Sequence, residues 1–249
     1  KNMSEFLKDY FKFKKKQIII LGGSKGIGLE IAKKLILLKA KLVIISRTKP
    51  NLNAKFMKCD FENLEEVKNV AKQLKKKYKK NWAIINCLSV TIPSKKKMQS
   101  PEYFKKTINI NLINHYFFLS NIIETISHSG SILNISSIYG NLAFPNNPSY
   151  SSSKSALNGL TRSLAFDLSK KKIRVNSLSA GYIKSNMTKK SFNDKNKRKI
   201  ISKHSLLNRW GSLSEIAVPA IFLISNASSF INGQDIVIDG GWTVKGFYK

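Results

Sequence analysis

Cysteine and histidine are scarce in this chain of 249 residues, which holds only Cys59, Cys87, His115, His128 and His204. Two thiols without C-x-x-C spacing and without a neighbouring histidine cluster form neither a disulfide framework nor a metal site. They read as buried, reduced thiols, and none of the scattered histidines is assigned a role. Long apolar runs are also missing. The longest, such as Gln17–Leu21, fall far short of the roughly 20 residues that span a bilayer. The first sixteen residues mix Glu5 and Asp9 with lysines and aromatics, unlike the uninterrupted apolar segment of a signal peptide. A cytoplasmic location away from membranes is therefore expected.

Negative charge is the third shortage: Asp and Glu total 14 against 44 Lys and Arg, for a formal net charge of +30. Such an excess suits nucleic acid, an anionic surface or an acidic partner. Arginine is itself rare, however, and 39 of the 44 basic residues are lysine. The lysine runs at 12–16, 75–80, 95–97, 170–172 and 189–199 are dispersed, without the interleaved aromatics of a nucleic-acid stacking platform. Solvated surface lysine is the favoured reading over a selected anionic partner, and nucleic acid is not expected.

What is present is a 42% hydrophobic chain, enough to bury one sizeable core. Short β-branched runs at 17–21, 41–46, 56–59, 82–86, 131–136, 173–177 and 235–238 read as strands, most of them separated by segments of helical periodicity. Ser100-Pro101 caps one helix, and Ser212 with Glu215 forms a capping box for another. Strands alternating with helices and lacking hairpin turns predict a single α/β domain: a Rossmann-type doubly wound parallel sheet of about seven strands with helices on both faces. Residues 1–16 read as an N-terminal extension and 17–249 as the domain, with the Lys/Asn/Ser-rich stretch 184–208 as a flexible substrate flap.

Gly22-Gly23-Ser24-Lys25-Gly26-Ile27-Gly28 falls where the first strand becomes the first helix. Glycines there let backbone approach a pyrophosphate, whose charge is stabilised by the free N–H groups of the helix N-terminus. The second strand ends in Ser46-Arg47, not in the acid that binds a free ribose 2′-hydroxyl. Arg47 and Lys25 suit a 2′-phosphate, so NADP(H) is favoured over NAD(H).

Tyr150 and Lys154 share a helix face at i, i+4. An ammonium beside a phenol favours phenolate and is expected to lower the tyrosine pKa. Tyr10 and Lys14 match the same spacing, so spacing alone does not separate the pairs. Ser131-Ile132-Leu133-Asn134-Ile135-Ser136-Ser137 is a strand that ends in hydroxyls before Tyr150. At this point the chain resembles the short-chain dehydrogenase/reductase family over nearly its whole length, from about Gln17 to Trp242. The resemblance implies a catalytic tetrad of Asn111, Ser137, Tyr150 and Lys154. It also implies cofactor contacts from Gly22, Ser24, Lys25, Gly26, Ile27, Gly28, Arg47, Asp60, Asn86, Tyr150, Lys154, Gly181, Ile183 and Ser185. Arg174-Val175-Asn176 and the run 233–242 agree with the family as well. Leu21, Asn86-Cys87-Leu88-Ser89, Ala180 and Ser185 depart from its usual residues, and Leu88 and Ser89 add bulk near the expected cofactor ribose.

In the reductive direction the resemblance implies that Ser137 binds the substrate carbonyl and Tyr150 protonates the developing alkoxide. Lys154 binds the nicotinamide ribose and lowers the Tyr150 pKa, and Asn111 holds a water leading to solvent. It further implies a homotetramer with the Tyr150 helix and the helix after Ser100 at one interface. Relatives reduce 3-oxoacyl thioesters on acyl carrier protein, whose acidity a basic surface suits, or interconvert sugars, sugar acids and polyols. The acyl reductase is favoured, with specificity placed in 90–98, 139–147 and the flap. An alternative of another class, a basic binding protein on the same fold, predicts salt-sensitive DNA binding without cofactor turnover.

Overall fold

A computed structural model describes residues 9–94 and 98–245. Seven strands, β1 (Gln17–Leu21), β2 (Lys41–Ser46), β3 (Lys55–Lys58), β4 (Asn81–Asn86), β5 (Ile126–Ser137), β6 (Arg174–Ala180) and β7 (Asp235–Ile238), form one sheet in the order β3-β2-β1-β4-β5-β6-β7. Every neighbouring pair is parallel. Parallel strands need crossover connections, and helices supply all but the β2–β3 one: α1 (Gly26–Leu37), α2 (Leu64–Lys77), α3 (Pro101–Ile108), α4 (Asn114–Ile122), α5 (Pro148–Asp167), α6 (Lys189–Asn193), α7 (Lys195–His204) and α8 (Leu213–Ile224).

The strand alternation feeds two cores, one per sheet face. Ile18 and Ile20 pack with Ile31 and Leu35 of α1 and Ile216 and Ala220 of α8. Ile19 and Leu21 pack with Val67 and Leu74 of α2 and Phe118 of α4. Because both faces are covered, the central strands read as continuous apolar runs, not as an alternating pattern. The caps form as expected: Ser100 Oγ accepts from Tyr103 N with Pro101 in the first turn, and Ser212 and Glu215 complete a capping box.

The chain diverges from β1 to β2 on one side and to β4 on the other. That reversal opens a crevice at the carboxyl ends of the strands, the place where doubly wound sheets bind ligands.

Several boundaries move from the sequence reading. β5 begins at Ile126, five residues early, and takes up a register irregularity against β4 between Asn81 and Ala83. β6 runs on to Ala180, which carries its pairing to the level of Ser137. The flap 184–208 contains two helices, α6 and α7. Its polarity disguised them, because α7 buries no residue fully. Residues 1–8 of the expected extension, Lys95–Lys97 of the expected specificity segment and 246–249 lie outside the described residues. Among the described residues, no helix is long and apolar enough to cross a membrane.

Candidate active site

The glycine turn lies at the mouth of the crevice. Gly28 is required by crowding, since a Cβ there would meet Gly22 O at 2.6 Å. Gly26 differs: it has φ +56° and faces open space, with nothing within 4 Å of a Cβ. Helix α1 begins at that residue with no side-chain cap and no acid in its first turn. Its orphan N–H groups are thus left to an outside partner, with open space beside Gly26 where an anion could approach. Ser24 Oγ accepts from Thr48 Oγ1 at 3.2 Å, tying the turn to the end of β2, where Lys25 and Arg47 are both exposed. Asp60 follows β3, and its carboxylate accepts from Glu62 N at 3.0 Å. Asn86, fully buried at the end of β4, accepts from Leu88 N at 3.0 Å.

Across the crevice, β5 ends at Ser137 and α5 presents Tyr150 and Lys154 one turn apart. All three side chains are buried, Lys154 to 1% exposure. The Lys154 ammonium donates to Ile135 O at 2.9 Å and stands 5.7 Å from the Tyr150 ring centroid. The Ser137 hydroxyl accepts from Tyr139 N at 3.3 Å and lies beside the Tyr150 phenol. Asn111 lies in a π-turn, Asn109–Ile113, between α3 and α4, an irregularity common at functional sites. Its Oδ1 accepts from Val90 N at 2.8 Å, and its Nδ2 donates to Val90 O and to Ser153 Oγ, both at 3.0 Å. Asn111 is therefore joined to α5 through Ser153, the residue preceding Lys154.

The fold thus gathers the four side chains named from the sequence onto neighbouring turns of one crevice. Residues 22–243 match the family described as enoyl-(acyl carrier protein) reductase. The chain belongs to the short-chain dehydrogenase/reductase family. It is 32% identical over 238 residues to a 3-oxoacyl-[acyl-carrier-protein] reductase of Rickettsia prowazekii, covering 91% of this chain and 96% of that protein. Among solved structures it resembles the ligand-free aldohexose dehydrogenase of Thermoplasma acidophilum with TM-score 0.89 and 25% identity, covering 96% and 98% of the two chains. A 4-hydroxyisoleucine dehydrogenase complexed with NADH is 31% identical at TM-score 0.85, covering 92% and 99%. As a member of this family the protein is an oxidoreductase acting on CH–OH and carbonyl groups with a nicotinamide cofactor.

One expectation for this site is reversed. Burial pushes the Tyr150 phenol up, and the neighbouring Ser137 and Ser89 hydroxyls only partly offset it. The Lys154 ammonium lies by the face of the ring, donating to Ile135 O, so it does not outweigh desolvation. Lys154 itself is pushed down to about 8 by burial. Both cysteines are unbridged, and burial raises each thiol to about 12, with Glu66 and Asp60 adding at Cys59.

At the substrate end, Gly181 N donates to Ile238 O at 2.9 Å and buried Ile183 bridges to Gly211. Ser185 N and Oγ both contact Thr188 Oγ1, at 3.0 and 3.1 Å. Thr188 was not read from the sequence, although a hydroxyl three residues past Ser185 was the available signal.

The largest omission is aromatic. Tyr139 stacks on Phe144 at 4.1 Å, Phe144 meets Tyr150 edge-on at 5.7 Å, and the Tyr139 and Tyr182 hydroxyls hydrogen-bond each other. Trp242 packs on Tyr182 at 5.5 Å and on His204 at 4.3 Å. These rings come from four separate segments, so no local pattern unites them.

His115 was also passed over, and it is fully buried beneath this site. Neither ring nitrogen has a hydrogen-bond partner of good geometry, and burial pushes the imidazole down to about 4 despite the Asn134 side chain beside it.

Proposed function

We propose that the protein is an NADP(H)-dependent reductase of 3-oxoacyl thioesters carried on acyl carrier protein, using Asn111, Ser137, Tyr150 and Lys154. The observation that carries this reading is the buried pair of Tyr150 and Lys154, one helical turn apart beside Ser137 at the carboxyl end of the sheet. When bound, the cofactor supplies the hydride, and the protein handles orientation and the proton. The open space beside Gly26 and the uncapped start of α1 take the pyrophosphate. Ser24, Ile27 and Gly28 shape that turn, and Lys25 and Arg47 pair with a 2′-phosphate. Asp60 accepts from the adenine amino group, and Asn86, Gly181, Ile183 and Ser185 line the nicotinamide end. Among the described residues the Lys154 ammonium meets one carbonyl, which leaves donors for ribose hydroxyls.

Ser137 Oγ donates to the substrate carbonyl oxygen while Tyr150 Oη passes its proton to the developing alkoxide. The raised phenol pKa suits this direction, because the group stays protonated at neutral pH and is ready as an acid. Lys154, near 8, is poised to relay a proton from solvent, by way of Asn111, back to the Tyr150 phenolate.

Two further features belong to the proposal. Tyr103, Phe104, Ile113 and Tyr116, on α3, the π-turn and α4, are 39–49% exposed, an apolar surface larger than scattered side chains explain. It supports a homotetramer in which these helices and α5 meet a second copy. The likeness to the aldohexose dehydrogenase supports a second reading, a sugar or polyol dehydrogenase. Initial rates with NADPH and NADH at equal concentration, on acetoacetyl thioesters and a panel of keto sugars, separate these readings. Thioester reduction with NADPH preferred is the expected result. Turnover of sugars alone, or a clear NADH preference, overturns the corresponding part.

A further inference from the structure

A cavity of about 740 Å³ lies between the flap and the start of α8. Lys184, Lys195, Arg198, Lys199, Lys203 and Arg209 line it. None belongs to the expected dinucleotide contacts, although Lys184 stands between Ile183 and Ser185. Four of these cations sit on α7 at positions i, i+3, i+4 and i+8, a single helical face. The neighbouring face of α7 carries His204, packed on Trp242. Lysine scattered by composition has no reason to select the concave face.

One carboxylate, Glu215, enters the cavity, and it is fully engaged by Arg209 at 2.6 and 2.9 Å. Among the described residues no carboxylate pairs with the other five cations. Two of them lie over Phe192, Lys184 Nζ at 4.8 Å and Arg198 at 5.4 Å from its centroid. Phe192 in turn packs edge-on against the buried Trp210. These contacts hold two of the six cations, Lys184 and Arg198, at the wall. A concavity lined by one sign of charge focuses its field and concentrates counter-ions.

We propose that this cavity is a binding site for a small ligand bearing two or more phosphate groups. Five cations without a carboxylate partner exceed what one phosphate neutralises, and the volume falls within the ~300–1,000 Å³ range of small-ligand sites. Nucleic acid is the weaker fit, because a strand needs free aromatic faces along a groove, and the rings here are occupied by each other and by the cations. The inference is independent of the substrate and the cofactor preference.

Titration calorimetry of the full chain with inorganic tripolyphosphate tests it against three variants whose folding is checked by circular dichroism. The expected result is saturable binding that weakens by about tenfold or more in Lys195→Glu/Arg198→Glu/Lys199→Glu, since charge-assisted phosphate contacts are lost. The charge-matched Lys72→Glu/Lys76→Glu/Lys77→Glu on α2, and Lys25→Glu/Arg47→Glu at the glycine turn, should each change affinity by less than about twofold once salt screens distant charge. Should the α7 triple variant fail to fold, Lys199→Ala alone is expected to weaken binding measurably. Equal loss in the α2 variant, loss confined to the glycine-turn variant, absence of saturable binding, or binding of duplex DNA but not of tripolyphosphate each overturns the proposal.

Discussion

Tyr10 and Lys14 repeat the spacing of Tyr150 and Lys154, yet their surroundings are opposite. Tyr10 is 38% exposed, and the helical turn that holds it ends before Lys14 is reached. Tyr150 is 8% exposed and Lys154 1%, both on the continuous helix α5. Four residues bring two side chains onto one face only where the backbone stays helical. Even then, chemistry follows from what surrounds them. Around Tyr150 the fold has removed water, raised the phenol, lowered the ammonium to about 8 and set Ser137 against the hydroxyl. Burying a lysine is costly, and a chain with 39 lysines has every opportunity to leave them all outside. That Lys154 is nonetheless inside marks the pair as selected.

The widest separation between the two pairs should appear in turnover. Tyr150→Phe removes the acidic hydroxyl and is expected to lower kcat by about 10² or more, the scale of a lost general acid. Near wild-type turnover would place the proton donor elsewhere. Ser137→Ala comes next, with a loss of about tenfold to 10² as one hydrogen bond to the developing charge disappears. It carries a sharper readout as well. The neighbouring Ser137 hydroxyl holds the phenol lower than burial alone would, so its loss should move the alkaline rise of alcohol oxidation, which needs phenolate, to higher pH. An unshifted profile with reduced rate would leave Ser137 as a substrate contact only.

The fold was readable because its signals are local. β-branched runs, caps and the glycine turn each complete themselves within a few residues, and the order of strands and helices then leaves a doubly wound sheet as the solution. The candidate tetrad came from the family resemblance, and its local signals were a strand ending at Ser137 and a helix face shared by Tyr150 and Lys154. What escaped depends on three-dimensional assembly. The rings of Tyr139, Phe144, Tyr182 and Trp242 converge from separate segments, α7 has no fully buried residue to announce it, and burial reversed the expected direction of the Tyr150 pKa. Sequence spacing conveys which groups meet, whereas desolvation depends on everything else that surrounds them.

Burial acts in the same way on His115, beneath the pair. Its imidazole is held down to about 4 from an ordinary value near 6.5. Between those values the unfolded chain binds the proton and the folded one does not, so this residue's contribution to stability falls as pH drops from about 6.5 to 4. The full difference corresponds to at most about 3 kcal/mol. His115→Leu should therefore reduce the loss of stability between pH 7 and pH 4.5 in urea titrations by about 1–3 kcal/mol. An unchanged pH dependence would show the ring to be hydrated or partnered in solution.

The smallest effect is expected at the other pair. Tyr10→Phe alters a residue that is 38% exposed, and surface substitutions usually stay within about 0.5 kcal/mol. Turnover, KM and the pH profile should all match the parent protein within error. Tyr10 nevertheless lies shortly before β1, and the backbone there is tied in: Lys16 O accepts from Lys41 N at 2.9 Å, and the Lys16 ammonium stands 3.3 Å from a Trp82 ring centroid. A tenfold fall in turnover on losing the Tyr10 hydroxyl would mean that the segment before β1 reaches the substrate of this or a neighbouring copy. The contrast between the two tyrosines would then rest on distance along the chain, not on burial. An unchanged enzyme leaves burial as the property that separates them.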